Sequence, residues 1–596
     1  MSAIAETAQG PAALPEWDLS DLYPGRDSAA LAHDLASLAA DADSFRAAFA
    51  GRLADLSGAE LGAAVARYED LQERAGRLTS YASLVRAGDL ADPEIGRFFQ
   101  TIEERVNAAE TALLFFTLEL NRLDEDTLDA KLADPALARY RPWLRDLRAF
   151  RPHQLADDLE TLLHEKSVSG RAAWVRLFDE TVADLRFPFR GRDLCEPEAL
   201  DLLSNPDPEI RREAGLAVGE VLGRHERVFA LITNTLAKDK ETEDRWRRFP
   251  RPISARNLAN FVEDEVVDAL IAAVRASYPR LSHRYYRLKA RWFGVERLPF
   301  WDRNAPLPGE EDRTIPWSEA EATVLAAYRR FSPEMAAVGE RFFRAPWIDA
   351  PVRRGKSPGA FAHPTVPSAH PYLLLNYQGR VRDVMTLAHE LGHGVHQVLA
   401  APQGYLMADT PLTLAETASV FGEMLTFRAL LAGESDPGKR RVMLAQKVED
   451  MLNTVIRQIA FVTFEERVHD ERREAELTPA RLAEIWLEVQ RESLGPALDL
   501  GGVYRHYWEY IPHFIHTPFY VYAYAFGDCL VNSLYAVYEE AHQGFAERYL
   551  AMLRAGGTVR HRELLAPFGL DAGDPAFWSK GLSVIAGLID ELERLG

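Results

Sequence analysis

Apolar residues recur at helical spacing through most of the chain. Between residues 27 and 150 several stretches place Ala and Leu at i, i+3 and i+4, as in LAHDLASLAADADSFRAAF, and this spacing predicts amphipathic helices. Turn-forming residues cluster at LSNPDPE, before a second helix-rich run that begins near Ile210. The pattern predicts a mainly α fold, with an N-terminal helical lobe over residues 1–200 and a second domain over residues 201–596.

A stretch of different composition interrupts the helical pattern at residues 301–379. It is rich in Pro and Gly and contains short apolar runs such as PYLLLNY, residues 371–377, which predict a small sheet. We expect PYLLLNY to be an edge strand that pairs with the main chain of an extended peptide, which makes Tyr372 a candidate for substrate contact. The alternative is a buried structural strand.

Composition narrows the class of protein. Of 596 residues, 47% are hydrophobic and 27% charged, which is typical of a globular chain. Lys and Arg number 69 against 90 Asp and Glu, a net charge of −21, so nucleic acid is not an expected partner. The two cysteines and the absence of a secretory pattern favour the cytoplasm. Residues 519–538 approach the length of a membrane span, but Asp528 and several tyrosines predict a buried helix instead.

The strongest chemical signal is the segment His389-Glu390-Leu-Gly-His393, an H-E-x-x-H pattern. Apolar residues on both sides follow a helical period, and on a helix the side chains at i and i+4 lie on one face. Two imidazoles spaced in this way bind one Zn²⁺, while the glutamate beside them is positioned to be the general base for a water molecule. The alternative is a pair of ordinary helix histidines with a surface glutamate.

A catalytic zinc needs a third protein ligand. The position that a metzincin would use holds Leu399, and we expect His396 to lie beside the site or in the core rather than to bind the metal. Glu416 and Glu423 are seven residues apart on the next predicted helix, so both face the same way. Glu416 is the preferred ligand, with a capping box from Thr413 as the alternative. Glu423 is expected to orient a ligand histidine, unless it is a solvated charge.

Several further segments accompany this motif: WDLSDLY near the start, GKSPGAF and PYLLLNY before the helix, LTLAETASVFGE after it, and PHFIHTPFYVYAY from residue 512. With HELGHGVH, they resemble the M3 family of zinc metallopeptidases, in its oligoendopeptidase F branch, over nearly the whole chain. The resemblance implies one Zn²⁺ per chain, held by His389, His393 and Glu416, with Glu390 as catalytic base. It also implies a two-lobed helical metallopeptidase with a deep channel and a small β-sheet beside the zinc site.

The segment PHFIHTPFYVYAY bears on the chemistry of the reaction. Hydrolysis of a peptide at zinc builds an oxyanion, and a tyrosine hydroxyl or a histidine N–H stabilises it. His513 and Tyr522 match the substrate-facing histidine and tyrosine of the family best, with Tyr520 as the second choice. Core aromatics with satisfied hydroxyls are the alternative.

Together these features predict a cytoplasmic zinc endopeptidase that hydrolyses internal bonds of short peptides, with no membrane, nucleic acid or obligate protein partner. The alternatives are a zinc carboxypeptidase or dipeptidase, or a non-catalytic peptide-binding protein with a vestigial metal site. The non-catalytic protein is disfavoured because the base and all three candidate ligands are present. A serine hydrolase built on Gly355-Lys-Ser-Pro-Gly359 is disfavoured, since Pro358 lacks the N–H that its oxyanion hole requires.

Overall fold

The computed structural model describes residues 14–167, 169–307, 314–540 and 543–595, which are mainly helical, as the sequence predicts. The α-helices are, in chain order, α1 Ala29–Phe49, α2 Gly58–Gly88, α3 Pro93–Arg122, α4 Glu125–Lys131, α5 Pro135–Ala138, α6 Arg141–Arg148, α7 Asp157–Ser167, α8 Arg171–Asp184, α9 Glu196–Asp201, α10 Pro208–Arg247, α11 Ser254–Ala259, α12 Asp264–Ser277, α13 Ser282–Trp292, α14 Trp317–Phe331, α15 Pro333–Arg344, α16 Val381–Ala400, α17 Leu412–Ala415, α18 Thr417–Gly433, α19 Pro437–Thr454, α20 Ile456–Glu474, α21 Pro479–Leu494, α22 His513–His516, α23 Tyr522–Glu540, α24 Phe545–Arg554, α25 His561–Leu565 and α26 Pro575–Arg594. Within the described residues, no helix combines the length and the apolar character that a membrane crossing needs.

Strands are short and belong to small sheets. Strand β1 (Phe187–Phe189) pairs with β2 (Arg192–Leu194) in an antiparallel hairpin. Strands β3 to β7 are β3 Leu298–Pro299, β4 Ile348–Asp349, β5 Phe361–His363, β6 Tyr372–Leu374 and β7 Leu498–Asp499. β3 pairs with β7 in parallel, and β4, β6 and β5 form a sheet in that order.

The sheet of β4, β6 and β5 corrects the expectation for PYLLLNY. Its strand β6 is central, with β4 parallel on one side and β5 antiparallel on the other. Tyr372 is fully buried, and its hydroxyl donates to the backbone oxygen of Asp18 at 2.8 Å. The prediction of an edge strand is therefore wrong, because both neighbours are strands of only two or three residues that the hydropathy pattern does not reveal.

The described chain divides into two compact units, each assembled from separated segments. The first comprises Met1–Arg151, Asp312–Gly433 and Ala541–Pro567. The second comprises Pro152–Glu311, Glu434–Glu540 and Phe568–Gly596. These units differ from the division at residue 200 that the sequence suggests, and that division stays a prediction, as does the channel that the resemblance implies.

Main-chain contacts explain why the first unit joins distant segments. The amide of Asp18 donates to the carbonyl of Pro346, and the amide of Ala350 donates to that of Pro15, both at 2.9 Å. The aromatic rings of Phe331, Phe421 and Tyr549 then pack together at centroid distances of 4.5 to 5.4 Å. Periodicity along the chain carries no information about such long-range pairs.

The second unit is built around the long helix α10 and the helices α20, α21, α23 and α26. Aromatic pairs hold its core, among them Phe464 with Trp486 and Phe526 with Trp578, with ring centroids 5.6 and 4.9 Å apart. Helix α23 buries most of its length, from Tyr522 to Tyr535. The expectation of a buried helix within residues 519–538 is therefore confirmed.

Candidate metal centre

Helix α16 carries the H-E-x-x-H motif in the first unit. The carboxylate of Asp383 starts the helix by accepting from the backbone amides of Gln378 and Arg380, at 2.8 and 3.0 Å, in agreement with the preference for acids at helix N-termini. The apolar stripe that the sequence indicates is fully buried at Val384, Leu387, Ala388, Leu391 and Val395. Burial of this stripe fixes which face of the helix presents the two histidines.

A close crossing of α16 and α18 brings the predicted third ligand, Glu416, towards the two histidines. A side chain at Gly392 would lie 2.5 Å from the backbone oxygen of Ala418, so only glycine permits the approach. The hydroxyl of Tyr328 donates to the backbone oxygen of Ala388 at 2.6 Å and supports the same face of α16. Glu416 lies in the turn between α17 and α18, directly before the crossing.

The three predicted ligands meet at this crossing. The Oε2 atom of Glu416 lies 3.3 Å from Nε2 of His389 and 3.5 Å from Nε2 of His393. One donor atom from each residue lies within 4.8 Å of the others. Ligand atoms bound at about 2.0 to 2.1 Å around a tetrahedral ion lie about 3.4 Å apart, so this donor set fits a tetrahedral metal ion such as Zn²⁺.

Neighbouring groups fix the orientation of each ligand. The Oε2 atom of Glu423 lies 3.1 Å from Nδ1 of His389, and the ring of His393 hydrogen-bonds to the backbone of Ala415. The hydroxyl of Ser419 donates to Oε2 of Glu416 at 2.6 Å. Sequence reasoning named Glu423 for this role but missed Ser419, although its position three residues after Glu416 was a signal for contact.

The pKa values of the three predicted ligands reflect burial and the charges of the groups around them. Burial lowers the pKa of His389, but the carboxylates of Glu416 and Glu423 outweigh this effect and raise the pKa to about 10. Burial raises the pKa of Glu416, but the two histidines and Ser419 bring it down to about 2. For His393 burial dominates and lowers the pKa to about 4, which leaves a neutral ring able to donate its lone pair.

Glu390 lies beside these donors on the buried side of α16. Its side chain is 7% exposed, and the backbone amide of Ala362, in strand β5, donates to its carboxylate. Burial raises the pKa of Glu390 to about 7. A carboxyl group with a pKa near the working pH is suited to accept and return a proton. No pattern in the sequence indicated the contact with Ala362.

Two further predictions concern the surroundings of the motif. His396 is 6% exposed and, among the described residues, does not belong to the group of metal-binding side chains. Burial lowers its pKa to about 4, as expected for a neutral core histidine. The capping-box alternative for Glu416 is wrong, because Thr413 lies inside α17, whose N-cap is Pro411.

His513, Tyr520 and Tyr522 belong to the second unit. Tyr522 is fully buried, and its hydroxyl accepts from Nδ2 of Asn260 at 2.9 Å. Tyr520 and His513 are partly exposed, with stacked rings whose centroids are 6.1 Å apart, and the ring of Tyr524 lies against both. The surroundings of Tyr522 are those of a core tyrosine, whereas Tyr520 lies in the cluster that contains His513.

Two histidines one helical turn apart, a glutamate from the turn before α18 and a buried carboxylate beside them are the arrangement of a metal-dependent hydrolase. The model of peptidase family M3 matches residues 201–584, and the model described as oligopeptidase F matches residues 119–187. The chain belongs to peptidase family M3. The predicted class of enzyme, a metalloendopeptidase, is thereby confirmed.

Individual relatives agree with this assignment. Oligopeptidase PepF of Bacillus subtilis is 26% identical over 92% of this chain and 82% of its own length. The group B oligopeptidase PepB of Streptococcus agalactiae is 27% identical over 88% of each chain. The crystal structure of oligoendopeptidase-F from Enterococcus faecium superposes with a TM-score of 0.72, at 23% identity over 94% of this chain and 98% of that one. A crystal structure from Chlamydophila abortus reaches a TM-score of 0.85 at 23% identity, over 97% of this chain and 98% of that one.

Proposed function

We propose that the protein is a zinc-dependent endopeptidase of the cytoplasm that hydrolyses internal bonds of short oligopeptides. The observation that carries the proposal is the group of His389, His393 and Glu416, whose donor atoms have the separations that a tetrahedral ion requires. Nitrogen donors with one carboxylate favour Zn²⁺ over Mg²⁺ or Ca²⁺, which prefer oxygen. Two free cysteines among the described residues are consistent with a reducing compartment.

The reaction is divided between the metal and the side chains. When bound, Zn²⁺ makes a water molecule a stronger acid and polarises a peptide carbonyl. Glu390 takes the proton of the attacking water and passes it to the departing amine, while Glu423 keeps the imidazole of His389 turned so that Nε2 faces the other donors. His513 and a tyrosine of the segment after it are proposed to stabilise the oxyanion, with Tyr520 preferred to the buried Tyr522.

Strand β5 is the proposed partner for the main chain of the substrate. It lies at the edge of its sheet and is partly exposed, and its middle residue Ala362 donates its amide to Glu390. An extended peptide beside β5 would run close to the catalytic carboxylate, held by main-chain hydrogen bonds that do not depend on its sequence. This role moves from β6, where the sequence suggested it, to the neighbouring strand.

The test is digestion of a peptide mixture of graded length, read by mass spectrometry, with the zinc-loaded enzyme. We expect internal cleavage of peptides of some five to twenty residues, the range implied by the family, while a stable folded protein survives. Chelation should abolish cleavage and Zn²⁺ should restore it. Release of single residues or dipeptides from one terminus only would replace the endopeptidase by a carboxypeptidase or dipeptidase.

A further inference from the structure

A cavity lies wholly within the second unit and is lined by aromatic rings and two arginines. Its volume is about 220 Å³. Trp486, Tyr504 and Tyr507 form a buried wall, whereas Ser204 at the rim is exposed. Arg303 and Arg457 both line it. A polar, positively charged end within an aromatic wall is typical of a ligand site with one orienting group.

The two arginines are partly exposed and lack the carboxylate partners that buried cations of this unit have. Arg211 lies 2.7 Å from Asp302, and Lys289 contacts Glu449. Arg303 instead hydrogen-bonds to the hydroxyl of Tyr504, and Arg457 lies over the ring of Phe461 at 5.0 Å. Among the residues that the structure describes, neither guanidinium has a carboxylate partner. Since a charge held partly out of water without a counterion is costly, an anion bound between these two groups would be stabilised.

Arg457 supplies the sharpest sign of an unmet interaction. Its Nε atom is buried and has no hydrogen-bond partner in the described chain. The guanidinium is planar, and its fork of donors matches the two oxygens of a carboxylate. Because Arg303 and Arg457 both line the cavity, their two guanidinium groups suit one carboxylate.

The position of the cavity connects it to the substrate. Burial lowers the pKa of His513, and the positive charge of Arg457 lowers it further, so the two side chains interact. Tyr510 and Ile511, at the wall of the cavity, directly precede the segment that starts at Pro512. The segment to which the proposed function assigns substrate contact is thus continuous with the lining of the cavity.

We propose that this cavity binds a carboxylate of the peptide substrate through Arg303 and Arg457. The inference rests on the proposed function and specifies its substrates: peptides that carry a carboxylate at the position reached by the cavity are preferred. The carboxylate has two possible sources, the C-terminus of the peptide or an Asp or Glu side chain. Both present the same planar pair of oxygens.

The test compares matched pairs of octapeptides that share one internal cleavage site. In the first pair, one peptide has a free C-terminus and no acidic side chain, and the other is its C-terminal amide. The further pairs are amides that carry either Glu or Gln at one position, with a different position in each pair. We expect kcat/KM of the wild-type enzyme to be about tenfold to a hundredfold higher for one acid-bearing member, the size of a charge-assisted hydrogen bond. The preferred pair identifies the source of the carboxylate.

Variants assign that preference to the cavity. Arg457→Met should bring the acid-to-neutral ratio of kcat/KM close to one, and because both peptides are measured on the same variant, this ratio does not depend on any change in its basal rate. The fold should survive, because Arg457 has no carboxylate partner that the change would leave unpaired. Arg457→Lys should retain part of the preference, since it keeps the charge but not the fork. Arg227→Met, at an exposed arginine of the same unit, is the control for net charge and should retain the full ratio.

Calorimetry keeps this inference separate from the proposed function. If no peptide is cleaved, the proposed function fails, and the affinity of the same pairs of peptides for wild type and Arg457→Met still tests the cavity. Equal affinity for acid and neutral peptides, or an acid preference that survives Arg457→Met, overturns the inference. Chloride or phosphate that displaces the acidic peptide at comparable concentration also overturns it, because the cavity would then be a general anion site.

Discussion

Glu390 and Glu465 are two buried glutamates in different units with similar surroundings. They are 7% and 2% exposed, and each accepts one backbone amide, from Ala362 in the first case and from Phe519 at 2.7 Å in the second. Burial raises their pKa values to about 7 and about 8. Among the described residues, Glu390 lies beside the group proposed to bind a metal ion, and Glu465 does not. A perturbed pKa therefore identifies a candidate, whereas the arrangement of its neighbours decides what chemistry is possible.

The largest expected effect concerns the metal. Glu416→Ala removes one of three proposed ligands, so the purified variant should lose most of its bound metal and, with it, nearly all peptide hydrolysis. The measurement is metal content by mass spectrometry beside activity on a standard peptide. Glu465→Ala, which removes a carboxylate of the second unit, should keep one metal ion per chain. Full metal content in Glu416→Ala together with its loss in Glu423→Ala would move the third ligand to Glu423.

The next effect separates the base from the ligands. Glu390→Gln keeps the size of the side chain but cannot accept a proton, so kcat should fall by about a hundredfold to ten-thousandfold, the usual contribution of a general base. Metal content should stay at one ion per chain. Glu465→Gln is the matched control, and its kcat should stay within about twofold of the wild type. Loss of metal from Glu390→Gln would contradict its assignment as a base.

How much of the candidate site could be predicted from the sequence depends on how far apart along the chain the interacting residues lie. The histidines and their glutamate follow from i to i+4 spacing within one helix. Glu416 was preferred from its place on the next predicted helix, and the resemblance implied the same residue. The contact of Glu390 with Ala362, and the position of β6 inside its sheet, depend on strands contributed by other segments. Tyr522 was chosen from its place in a motif, yet its surroundings depend on Asn260, 262 residues earlier. Local patterns do not record such partners.

A smaller effect concerns the tyrosines that follow Phe519. If Tyr520 is the oxyanion donor, Tyr520→Phe should lower kcat by about a hundredfold to a thousandfold with little change in KM or metal content. Tyr522→Phe should leave kcat within about twofold, and it should lower the free energy of unfolding by about 1 to 3 kcal/mol, because the amide of Asn260 loses its acceptor. Steady-state kinetics and denaturant titration measure the two quantities. If Tyr520→Phe keeps a normal kcat while Tyr522→Phe is inactive, Tyr522 is the oxyanion donor, as first predicted from the sequence.

The smallest effect is on stability and tests the buried acid of the second unit. Because the pKa of Glu465 is raised from 4.5 to about 8 in the folded protein, the folded state holds its proton more tightly than the unfolded state. The resulting stabilisation is complete below about pH 4.5 and is lost as the pH rises towards 8. Glu465→Gln cannot titrate but can still accept the amide of Phe519, so its free energy of unfolding should decline less over this interval than that of the wild type. Glu474→Gln, at an exposed position of the same helix, should follow the wild type. Parallel curves for Glu465→Gln and wild type would show that Glu465 titrates at an ordinary pKa, and the likeness to Glu390 would then be one of burial alone.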